Sequence, residues 1–145
     1  MGKKLKRGPK DLEWKGEQDS PRSMKITTTS AGVLYAELTG ENPVTADAVW
    51  EKLPIDGKAN TWGDEIYYTI PVSAEAEAPK QIVDLGDVAY WMPGKAICFF
   101  FGPTPASWDK EIRAASPVNV FARIENNARL LKLVKPGEKI RIEQT

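Results

Sequence analysis

From Met24 onward the chain alternates apolar and polar residues with a period of two, broken once by a helical stripe. Met24, Ile26 and Thr28 oppose Lys25, Thr27 and Thr29, while Leu34, Ala36 and Leu38 oppose Tyr35 and Glu37. This predicts strands over 24–30 and 33–38 joined by a turn at Ala31-Gly32. Ala46, Val49, Trp50 and Leu53 then recur at i, i+3, i+4 and i+7 behind the start signals Asn42-Pro43 and Thr45, and Pro54 stops the run, so 45–53 is a helix. Residues 65–72 alternate again, with Ile66, Tyr68, Ile70 and Val72 on one face and Tyr67 and Thr69 on the other. Residues 73–80 read as an acidic, alanine-rich loop. The apolar runs 88–92 and 96–101 flank Pro93-Gly94 and form a buried hairpin or a bend into a new strand. Residues 118–125 set Val118, Val120, Ala122 and Ile124 against Asn119, Phe121 and Arg123, and strands over 129–134 and 139–143 close the series. About eight short strands and one helix predict a mainly β fold, a closed or nearly closed antiparallel barrel in which closure removes sheet edges and the helix packs its stripe on the sheet.

Residues 1–22 break this pattern. They carry seven basic against four acidic side chains, a net of +3 that leaves −3 on the remainder of a chain with 20 of each sign. Neither apolar period is present and Gly and Pro interrupt any helix, so 1–22 is expected to be a largely disordered arm preceding a domain over 23–145. Lys3, Lys4, Lys6 and Arg7, in residues 3–7, have the charge density to touch nucleic acid or an acidic membrane surface, or to act as a solubilising tail.

Composition narrows the chemistry further. No histidine is present, which removes Ser-His-Asp triads, Cys-His pairs and imidazole metal sites from the protomer. One cysteine forbids an internal disulfide, and Cys98, within an apolar run, reads as a buried and inert thiol. The longest apolar run, 96–101, is too short to cross a bilayer and no secretory signal is visible, so a cytoplasmic protein without a membrane span is expected. No cofactor or metal is expected either. Gly86 and Gly94-Lys95 lie too far apart for a phosphate loop, and Ala96 stands where Ser or Thr would hold magnesium. Glu75, Glu77, Asp84 and Asp87 do not follow a calcium-loop spacing and read as solvated loop charge. Asp64 and Glu65, as strand neighbours, point to opposite faces and cannot share one substrate.

Aromatics and special turn residues concentrate in two segments. One runs from Asn60 through Trp62 to Tyr67 and Tyr68; the other runs from Tyr90-Trp91 through Phe99, Phe100 and Phe101 into Gly102-Pro103-Thr104-Pro105. They either fill a small barrel or floor an aromatic pocket, and two prolines around Thr104 stiffen a loop at the mouth, where binding groups often sit. Asn60, Trp62, Tyr67, Phe99, Phe101, Thr104, Asn119 and Phe121 are therefore the candidate ligand-binding residues.

The order GDEIYYTIPV, LGDVAYWMPGKAICFFFGPTPAS and EIRAASPVNVFARI resembles a family of small, mostly uncharacterised proteins with a cyclophilin-like fold, over 24–143. The resemblance implies a closed eight-stranded antiparallel barrel with the helix packed on it. True cyclophilins are peptidyl-prolyl isomerases in which an arginine stands near the prolyl nitrogen beside an aromatic pocket, chemistry that needs no imidazole. Here the arginines in the matching region are Arg123, on a strand face with Phe121 and Asn119, and Arg113, in a loop. The extended motifs around the catalytic arginine of true cyclophilins are missing. A binding module for a peptide or small ligand is thus the first reading, with weak prolyl isomerisation by Arg123 or Arg113 and nucleic-acid contact through the arm as alternatives.

Overall fold

A computed structural model describes residues 22–145. The basic arm read over 1–22, with the contact residues 3–7, lies outside the described residues except for Arg22. Ten strands are formed: β1 (Ser23–Thr28), β2 (Val33–Leu38), β3 (Ile55–Lys58), β4 (Asn60–Thr61), β5 (Glu65–Thr69), β6 (Lys80–Val83), β7 (Asp87–Trp91), β8 (Ala96–Phe100), β9 (Ile112–Ile124) and β10 (Lys139–Gln144). A helix, α1 (Pro43–Lys52), and a 3-10 helix over Ala128–Leu133 complete the fold. No helix among the described residues is long and apolar enough to cross a membrane.

The fold is mainly β and antiparallel, with one α-helix, as the alternation predicts. The expected closed barrel of eight strands is corrected: the sheet is an open path in the order β3-β10-β1-β2-β9-β7-β8-β5-β4, with β6 paired to the side of β9. Its two ends, β3 and β4, are consecutive short strands separated by Ala59 and do not pair with each other. The seam between β3 and β5 is filled by a side chain instead of a ladder: the Tyr68 ring lies against Gly57, where any Cβ would collide with it. The sheet curls around a main core that includes Met24, Ile26, Tyr68, Phe99, Phe121, Ile140 and Ile142.

Three local readings also change. Residues 129–134 are not a strand, because Ala128, Leu131 and Val134 are buried at every third position, the period of a 3-10 turn. The acidic loop is not simply solvated. Glu77 caps α1 by accepting from the Val44 and Thr45 amides at 2.9 and 3.1 Å and from the Thr45 hydroxyl at 3.0 Å. Asn42, which marks the helix start in the sequence, is buried elsewhere, donating to the Val120 carbonyl at 2.7 Å and accepting from the Ala78 amide at 2.6 Å.

The third change concerns β9, which begins at Ile112 and so includes Arg113, expected in a loop. Opposite β7, Val88 pairs with Ala122 but Ala89 pairs with Val120, leaving Phe121 as an extra residue. This bulge turns Phe121 and Ala122 both into the main core and sends Arg123 to the outer face, so the shared face expected for Arg123 and Phe121 does not exist.

Outside the curl lies a second core. Val83, Ala89, Cys98, Phe100, Ile112, Ala114, Val118 and Val120 pack together as β6 and the first half of β9 fold over the outer face of β7 and β8. This explains why β8 is buried at every position, and it creates the environment of the site.

Candidate functional site

The outer face next to the second core contains a cavity of about 290 Å³ lined by Trp62, Glu65, Tyr67, Trp91, Ala114, Ala115 and Val118. Glu65 and Tyr67 are two apart on β5, so period two puts both side chains on the outer face while Ile66 and Tyr68 point into the main core. Trp62 reaches the same place from the tight turn that precedes β5. In that turn the Trp62 amide donates to the Glu65 carbonyl at 2.9 Å, and the Glu65 amide donates back to the Trp62 carbonyl at 3.2 Å.

The turn is braced by the Gly-Pro-Thr-Pro segment. Gly63 has a φ of +60°, and a Cβ on it would sit 2.7 Å from Pro105 Cδ and 2.9 Å from Thr104 Cα, so both conformation and space require glycine. The Asp64 amide donates to the Pro103 carbonyl and the Phe101 amide to the Asp64 carbonyl, each at 2.9 Å. Thr104 then ties the segment to β9: its hydroxyl donates to the Arg113 carbonyl, while the Ser107 hydroxyl accepts from the Thr104 and Arg113 amides at 2.9 and 3.0 Å.

The wall formed by β9 is a second irregularity. Pairing with β6 jumps from Val118 to Arg113 while β6 advances only from Lys80 to Ile82, so the residues between bow out of the ladder. Gln81 satisfies the carbonyls of Ala114 and Ala115 at 2.9 and 3.3 Å. Within the bow, Ser116 accepts a 2.7 Å hydrogen bond from the Trp91 indole, fixing that ring as the far wall. Aromatic walls with alanine between them leave the space empty of side chains.

Glu65 is the charged group of the cavity. Only 6% of it is exposed, and no lysine or arginine among the described residues forms an ion pair with it. Burial raises its carboxyl to about 7, and the neighbouring Cys98 thiol draws it partly back. Burial raises the Cys98 thiol in turn, reinforced by the negative charge of Glu65, which matches the inert thiol read from the sequence.

Among the residues expected to bind ligand, Trp62 and Tyr67 come together at this cavity. Asn60 is exposed on β4 and braces the hairpin by donating to the Tyr67 carbonyl at 3.2 Å. Thr104 supports the site from behind. Phe99, Phe101 and Phe121 are on the other side of the sheet, buried in the main core. Asn119 is fully buried and occupied, donating to the Thr45 hydroxyl at 3.0 Å and the Glu75 carbonyl at 2.9 Å, and accepting from the Glu77 amide at 3.1 Å.

Neither arginine lines the cavity. Arg123 donates to Asp87 at 2.9 Å and to Asp84 at 3.1 Å, and Asp87 is wholly buried rather than a solvated loop charge. Arg113 is held by Glu111 at 2.7 Å.

The sequence reading missed Glu65, Trp91, Ala114, Ala115 and Val118. One signal was available: residues 96–101 are apolar on both faces, which requires a cover on the outer side of the sheet and therefore a second set of inward-facing residues.

Comparison with known proteins agrees with this architecture. The model of the cyclophilin-like family matches residues 22–143. The chain belongs to the cyclophilin-like family. Among solved structures, this cyclophilin-like chain is similar to a hypothetical protein from Archaeoglobus fulgidus determined in solution, with 47% identity and a TM-score of 0.76 over 90% of this chain and 100% of that one. No curated protein matches the chain.

Proposed function

We propose that this cyclophilin-like domain is a binding module and that its ligand, a small molecule or a peptide side chain, enters the cavity walled by Trp62, Tyr67 and Trp91 on the outer face of the sheet. The observation that carries this reading is a half-open cavity of about 290 Å³ lined by three aromatic side chains, one carboxyl and the small apolar residues Ala114, Ala115 and Val118. That is near the lower end of ligand-site volumes, and its mix of apolar walls and a single polar group is the usual composition of such sites. Phe99, Phe101 and Phe121 are packed into the main core inside the curl of the sheet and do not line this cavity. Prolyl isomerisation stands second: it asks for a guanidinium free to approach a prolyl nitrogen, whereas Arg123 and Arg113 are engaged by carboxylates. A nucleic-acid contact through residues 3–7 has no support among the described residues.

A fragment screen followed by amide and indole NMR shifts tests the proposal. Hits are expected to move Trp62, Tyr67, Trp91, Ala114 and Val118 together, and Trp62→Ala is expected to weaken them about tenfold by removing one aromatic wall. Hits that converge instead on the separate surface depression around Tyr35 and Glu125 would overturn it.

A further inference from the structure

We propose that the ligand of this cavity is a cation, an alkylated ammonium group seated among Trp62, Tyr67 and Trp91 with the Glu65 carboxylate as its counter-ion. The inference rests on the cavity being a binding site and adds the chemical class of what it binds. Three aromatic side chains line one small space; the negative quadrupole of an aromatic face attracts a cation, and alkyl groups on nitrogen make that cation easy to desolvate. A purely apolar ligand would explain the aromatic walls but not Glu65. A carboxyl at that position is removed from water with no cationic partner in the described chain, and a buried charge of this kind is ordinarily paired.

The surroundings favour an external partner. Asp64, next in sequence, is already paired with Lys132 at 3.0 Å, Arg113 is held by Glu111, and among the described residues no lysine or arginine forms an ion pair with Glu65. The titratable groups facing Glu65 are Tyr67 on its own strand and Cys98 on β8, whose thiol burial holds protonated. From β7 and β9 the cavity around it is lined by Trp91, Ala114, Ala115 and Val118, none of which titrates. Because the carboxyl of the free protein titrates at about 7, a permanent cation binds the ionised form and displaces a proton at lower pH.

Choline and its uncharged isostere 3,3-dimethyl-1-butanol, titrated into the full chain with NMR and calorimetric detection, test the inference. At pH 8 choline is expected to bind at least about tenfold more tightly than the isostere. Its affinity is expected to fall about tenfold between pH 8 and pH 6, with proton release at the lower pH, whereas Glu65→Gln removes the pH dependence and narrows the preference for choline over the isostere. Equal affinity for the two probes, with shifts at the cavity, would overturn the cation while leaving the cavity as a binding site. No shift at the cavity with either probe would overturn both. Trp62→Ala, at a half-exposed position, is expected to weaken choline without unfolding the chain. A peptide carrying one trimethyl-lysine, titrated in parallel, separates a peptide side chain from a free small molecule: tighter binding than choline assigns the site to the former, weaker binding to the latter.

Discussion

Glu65 gives the free protein an unusual dependence on pH. Its ordinary value of 4.5 applies to the unfolded chain, and burial raises it to about 7 in the fold, so between those values the folded state holds the proton more tightly. Its contribution to stability is therefore complete below 4.5 and is lost as pH rises to 7, amounting to about 3 kcal/mol across the window. Urea unfolding is expected to show wild-type stability declining from pH 5 to pH 8, with Glu65→Gln flattening the decline and gaining on wild type at pH 8; parallel curves would refute the assignment. Glu138 acts in the opposite direction at the acid end. Partial burial pushes its carboxyl up, but hydrogen bonds from the Lys135 amide, the Ser30 amide and hydroxyl, and the Thr29 amide outweigh this and bring it to about 2. Its stabilisation is present above 4.5 and is lost as pH falls toward 2. Nothing in the sequence separates Glu65 from Asp64 beyond the face each takes: alternation tells that they diverge, and only packing tells which of them leaves water.

Among the elements, α1 and β9 differ in how much of them was legible. The helical stripe of Ala46 and Val49 places α1 within two residues, because the 3.6 period is a local property. The group that caps it was not legible. Glu77 lies far along the chain, and its carboxyl is lowered because the hydrogen bonds from Val44 and Thr45 outweigh the upward effect of burial. Glu77→Ala is expected to cost about 1 kcal/mol in urea unfolding and to speed amide exchange at Val44 and Thr45; unchanged exchange there would mean that the helix end is held by something else. In β9 the alternation carries no sign of the bulge, and one extra residue at Phe121 reverses the face of everything beyond it, Arg123 included. That single slip joined Arg123 to the aromatic core in the sequence reading, where the folded chain pairs it with Asp84 and Asp87.

For the molecule as a whole, the open path of the sheet depends on a side chain at its seam. Gly57→Ala would drive a methyl group into the Tyr68 ring and is expected to destabilise the fold by about 1–3 kcal/mol while raising amide exchange in β3 and β5. Equal exchange in those strands would show that the seam does not depend on this contact. Sequence patterning alone established a mainly antiparallel fold, the helix after Asn42-Pro43, apolar strands on either side of Pro93-Gly94, a buried Cys98 and the absence of imidazole chemistry, because each follows from residue type or from spacing along a few neighbouring positions; whether the two strands pair as a hairpin it left open. The cavity required the tertiary structure. Trp62, Tyr67 and Trp91 acquire a common space only when the bowed part of β9 is laid across the outer face, and the same cover isolates Glu65 from water. Which face of a strand is covered depends on segments distant in sequence, and period two is silent about them.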